Sequence, residues 1–158
     1  MKKWMLNLLK ISLVVIGFVI LMLSIFWLPS VANTLAEQNP EYAYLKYPLL
    51  FGIYLTCIPF YIGVYNGFVI LRLIEKDKAF TEYTNKSLTY IFYSSIAIIL
   101  LYVIGMVYLI FNNALHPSLF LLGVSIIFMS FTIASAAGVI KALLIKVIEI
   151  KNEHDLTI

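Results

Sequence analysis

Charge is scarce in this chain. Of its 158 residues only 12% are charged, 63% are hydrophobic, and the mean hydropathy is +0.99. Soluble domains carry about 25% charged and about 45–50% apolar residues, so composition places the chain in the membrane class. Cysteine is scarcer still. Cys57 stands alone, so no disulfide framework and no paired metal-ligand spacing exists. It lies inside an apolar run, where a small packing residue is the ordinary role and a reactive or palmitoylated thiol the alternative. Histidine occurs twice, at His116 and His154, on segments that the hydropathy pattern places on opposite sides of a bilayer. They cannot share a site. No phosphate-binding glycine loop, dinucleotide fingerprint or zinc-protease motif occurs, so neither a catalytic residue, a cofactor nor a metal is expected.

What the chain does have is long uncharged stretches. The strongest runs from Tyr47 to Leu71, about 25 residues, which as helix exceeds the roughly 30 Å hydrocarbon core. A soluble helix apolar on every face needs a large core around it, and 158 residues cannot build one. Three further runs, near residues 11–28, 88–111 and 119–142, complete a pattern of four spans. The predicted fold is an all-α membrane bundle, one four-span domain over residues 1–158 with a polar tail from about 143 to 158. A cleaved signal peptide is the competing reading of the first run, with Thr34-Leu35-Ala36 as the cleavage site. Signal cores are about 7–15 residues long, and this run is longer, which favours a retained helix.

Within the second span, Pro59 and the glycine pair Gly63 and Gly67 mark a packing surface. Bilayer helices tolerate proline where neighbours satisfy the freed carbonyl, and small residues let backbones approach. Asn66 beside them is the most polar group at depth, and an interhelical hydrogen bond is its expected use. In the fourth span Ser130, Ala134 and Gly138 form a small-residue stripe at four-residue spacing. Pro29 is expected to end the first span, leaving residues 29–46 as a polar connection whose tyrosines, Tyr42, Tyr44 and Tyr47, sit as interfacial anchors. Thr81 is a plausible N-cap for the third span, with Glu82 in its first turn.

Ten of the eleven basic residues fall on the side holding both termini, and only Lys46 falls on the other. The positive-inside rule therefore predicts cytoplasmic termini in a bacterial cell membrane. Topology and lipid attraction account for this basic face without any direct nucleic-acid contact. No Asp, Glu, Lys, Arg or His falls inside a span, which argues against a proton-coupled pump.

Three features together resemble the YoaS-like family of small four-span bacterial membrane proteins of unknown function. The span spacing has a longer first outer connection and a very short second one. The segment Lys78-Ala79-Phe80-Thr81-Glu82 is similar to the family's G-x-P-F-T opening of the third helix, with Ala79 where proline is common. The ending Glu153-His154-Asp155-Leu156-Thr157-Ile158 is similar to the family's acidic-Leu-Thr-Ile/Val terminus. The resemblance implies no catalytic residue. It does imply a partner, a small cytoplasmic helix-turn-helix transcription regulator of the kind often encoded beside such proteins. Phe80, Thr81, Asp155, Leu156 and Ile158 are the candidate contacts. A homo-oligomer that moves an apolar or cationic compound along Pro59, Asn66 and the small faces is the alternative, as is an immunity-type role.

Overall fold

The computed structural model describes residues 2–156, and these are helical nearly throughout. The first rod comprises α1 (Lys3–Met22), a π-helical turn (Leu23–Trp27) and α2 (Leu28–Gln38). A 3-10 segment (Pro40–Leu45) leads into α3 (Lys46–Glu75), followed by α4 (Glu82–Phe111) and α5 (Pro117–Leu156). Each of the four rods is long and apolar enough to cross a membrane. Among the described residues there is no strand.

The connection expected at residues 29–46 is itself helical. Pro29 does not stop the chain, because it sits in the first turn of α2, where a proline lacks only an N–H that has no partner inside the helix. The three short turns do reverse the chain. Lys78 N–H reaches Leu73 O at 2.8 Å and Asp77 N–H reaches Ile74 O at 3.2 Å, a Schellman closure of α3 with Asp77 at φ 56°. Asn113, φ 54°, closes α4 in the same way, with Ala114 N–H to Leu109 O at 2.9 Å and Asn113 N–H to Ile110 O at 3.0 Å. Asp and Asn are among the few non-glycine residues that visit this left-handed region routinely.

The rods pack in chain order, each antiparallel to the next. Lys10 pairs with Glu75, and the Tyr61 hydroxyl donates to Gly17 O at 2.7 Å. Gly63 lies opposite Ser94, and Gly138 opposite Phe92. Polarity is arranged inside out. Thr56, Asn66, Thr84, Ser87, Ser94, Ser95 and Ser130 are buried between helices, while Phe51, Phe111, Leu121 and Phe128 face outward. In lipid this is favourable, because apolar side chains need no shelter and hydroxyls and amides do.

Candidate functional site

At the end of the bundle that gathers residues 72–87 and the tail, the α3–α4 turn and the far part of α5 form one concave surface. Forty residues of helix extend about 60 Å, twice the hydrocarbon thickness, so α5 overshoots the bilayer. As far as Leu156 the tail continues span four without a break, since no glycine or proline follows Gly138. Its overshoot lies against the turn, and Phe80, Thr81 and Asp77 line a groove of about 400 Å³ with Val147, Ile150, Lys151 and His154. Phe80 is 58% exposed, an unusual state for an aromatic in a polar turn.

Hydrogen bonds hold the turn's shape. The Thr81 hydroxyl does not cap α4. It donates instead to Lys78 O at 2.8 Å, and Thr84 donates to the same carbonyl at 3.3 Å. Capping loses because the Schellman closure leaves that carbonyl pointing at both hydroxyls. Asn85 spends its amide nitrogen on Glu82 at 3.2 Å, and its buried Oδ1 has no partner among the described residues. Nearby, Lys10 holds the Glu75 carboxyl below the ordinary carboxylate range. A depressed folded value means the ion pair is fully present above Glu75's ordinary value near 4.5 and is lost as pH falls through the lower folded value. We expect the distance between the facing ends of α1 and α3, read by paired spin labels, to be constant from about pH 7 to pH 5. Glu75→Gln should lengthen it throughout that range. Lengthening of the wild-type distance already at pH 6 would contradict this assignment.

The remaining predicted residues separate into groups. Asp155 and Leu156 lie on the exposed end of α5, outside the groove, and Ile158 lies outside the described residues. Gly63 faces α4, but Gly67 faces α1, where an added Cβ would meet Leu13 at 3.5 Å. The glycine pair thus serves two different neighbours. Asn66 is buried, yet its amide donates to Ile62 O of its own helix at 2.8 Å rather than across to another. The i−4 carbonyl is within reach without any displacement of a neighbouring helix, so the local bond forms. Pro59 is buried in α3. On α5, Ser130 and Ala134 face α4 together with Gly123, Ala137 and Leu144, while Gly138 sits at the edge of that face.

Several residues were missed by the sequence. Gly123 is the tightest glycine, where a Cβ would stand 2.7 Å from Met106 Sδ. The readable signal was the seven-residue spacing of Gly123, Ser130, Ala137 and Leu144, the period of left-handed helix packing. Tyr42 and Tyr44 do more than anchor at an interface. Their hydroxyls donate to Asn113 O at 3.0 Å and Asn112 Oδ1 at 2.9 Å, clasping the α4–α5 turn. Tyr54 donates to Ser24 O at 2.7 Å, taking a carbonyl of the π-helical turn. No His, Cys, Asp and Glu cluster able to hold a metal occurs among the described residues.

Residues 30–158 match a family model described as "Protein of unknown function (DUF2975)". The chain belongs to this family. It is also similar to the uncharacterized membrane protein YoaS of Bacillus subtilis (strain 168), with 43% identity over 152 residues, 95% of each chain. No solved structure matches. The DUF2975 chain is accordingly a membrane protein with four candidate spans.

Proposed function

We propose that this chain is a non-enzymatic, multi-pass protein of the bacterial cell membrane that holds or releases a soluble regulator at its cytoplasmic end. The observation that carries the reading is the groove between the α3–α4 turn and the overshooting part of α5. Phe80, Val147 and Ile150 offer an apolar floor, and Asp77, Lys151 and His154 offer a polar rim. That combination suits an apolar side chain of a partner, presented from a helix, better than it suits a small polar substrate. The charge asymmetry of the chain supports a cytoplasmic position for this end, and the family resemblance suggests a helix-turn-helix regulator as the partner to look for. The second reading, an oligomeric transporter, draws support only from small size and small-residue faces. Its path residues Pro59 and Asn66 stand apart from the groove.

The test is a pull-down from membranes at equal abundance of each variant. Phe80→Ala and Ile150→Asp should each lower recovery of the partner about tenfold or more, the loss typical of a central anchor. Deleting residues 155–158 leaves every residue lining the groove in place and should cost less. Equal recovery of the same partner by wild type, Phe80→Ala and Ile150→Asp would sink the reading.

A further inference from the structure

A second cavity, of about 380 Å³, lies in the middle of the bundle, far from the groove. The π-helical turn of the first rod forms one wall and α5 the opposite one, with α3 and α4 between them. Trp27, Phe60, Ile98 and Ile133 give it an apolar lining, and no Asp, Glu, Lys, Arg or His contributes to it. Its polar groups are mostly satisfied internally. Thr56 donates to Ile53 O at 2.6 Å and is paired with the Tyr102 hydroxyl, Ser95 donates to Ile91 O at 2.9 Å, and Ser24 pairs with Cys57 at 3.6 Å.

Ser130 is the exception. It is only 7% exposed and lines the cavity from α5. Ser125 and Thr132 on the same helix return their hydroxyls to their own i−4 carbonyls, at 2.7 and 2.9 Å. The Ser130 hydroxyl makes no such bond and has no other partner among the described residues. The residue is buried but its hydroxyl stays open to the cavity, and at mid-span no water is at hand to satisfy it. Back-bonding to Ile126 is open to any helical serine, and forgoing it leaves the group turned to the cavity.

We propose that this cavity binds an uncharged, mainly apolar small molecule that bonds to Ser130 through one hydroxyl or carbonyl oxygen. Several observations converge on that chemistry. The lining offers nothing to neutralise a charge, so an ion would bring an uncompensated desolvation cost. A single unsatisfied hydroxyl calls for a single polar atom on the ligand. The volume is at the lower end of ligand pockets and more than twice the roughly 150 Å³ that accepts benzene, which admits a ligand of about a dozen heavy atoms. Access is from the hydrocarbon phase between the first rod and α5, since α1 and the π-helical turn direct their interhelical polar ties to α3, through Glu75, Tyr61, Cys57 and Tyr54. π-helical turns recur at functional sites, and this one forms the cavity wall. The proposal does not depend on the regulator-anchoring reading.

The test uses the full chain in lipid nanodiscs and a fatty alcohol carrying an aliphatic diazirine, with the matching diazirine alkane as control. After illumination, labelled residues are mapped by mass spectrometry. Labels from the alcohol should concentrate on cavity residues and be competed by unlabelled fatty alcohol. Ser130→Ala keeps the fold and the space but removes the partner. It should lower labelling by the alcohol about threefold to tenfold while leaving labelling by the alkane unchanged. Ile133→Trp fills the space and should abolish both, and Ile98→Trp repeats that result from α4. Labels scattered over the lipid-facing surface, or cavity labelling by the alcohol that Ser130→Ala leaves intact, would overturn the proposal.

Discussion

Gly123→Leu should be the most damaging single substitution in the membrane part of this protein. Gly123 is buried where α5 meets α4, and even a methyl group there would come within 2.7 Å of Met106 Sδ. Alanine is tolerable, because the thioether is the flexible end of a long side chain and can rotate away. Leucine adds three more carbons against the backbone of α4, which cannot move without carrying a 30-residue helix with it. Overpacking of this kind costs about 1–3 kcal/mol in soluble cores. In lipid the loss bears directly on association, because close van der Waals packing is a main source of helix–helix affinity there. Thermal unfolding in mild detergent should show Gly123→Leu melting lower by several degrees, at about 2–4 °C per kcal/mol for a chain of this size. Gly123→Ala should stay near wild type. Gly63→Leu, Gly67→Leu and Gly138→Leu should fall between, since their nearest neighbours stand at 3.5–3.9 Å. The control is Leu121→Ala, two residues away and 66% exposed to what the fold makes the lipid side. A Gly123→Leu protein that melts with wild type would mean that α4 and α5 do not meet on this face.

The spans were readable because the bilayer imposes a length and a polarity that composition reports without any knowledge of packing. The contacts between them were less so, and for a physical reason. A glycine pair at four-residue spacing says that something approaches closely, but not from which side. Gly63 and Gly67 turned out to face different helices. Asn66 misled in a similar way, since a buried amide must be satisfied and sequence alone does not show whether by its own helix or by another. Residues 29–46 read as a loop because Pro29 and the polar residues after it resemble a stop. A proline is neutral at the start of a helix, and a π-helical turn just before it lets the rod continue. The candidate site was half legible. Phe80 and Thr81 stood out as an aromatic and a hydroxyl in a charged turn, whereas Val147, Ile150 and Lys151 joined them only through the antiparallel docking of α5. That pairing lies about 70 positions apart in the chain, beyond what local periodicity can carry.

A reporter fused after Lys78 should read as cytoplasmic and one fused after Gln38 as external, each in an all-or-none manner. The charge pattern supplies the direction, because basic residues resist translocation and ten of the eleven lie on one side of the four rods. The packing supplies the second half of the argument. If the first run were a signal peptide cut near Ala36, the mature chain would lose Lys10, Gly17 and Ser24. Glu75, Tyr61 and Tyr54 would then lose the partners that hold them. Two tyrosine hydroxyls would be stripped of their acceptors at membrane depth, where no water replaces a lost partner. The mid-bundle cavity would also lose one wall. The chain is therefore expected to keep its first rod, and the intact mass of protein purified from membranes should correspond to a sequence that still contains Lys3–Met22. A mature form beginning near Glu37, with the Lys78 fusion reading as external, would refute both the four-span topology and the polar ties between α1 and α3.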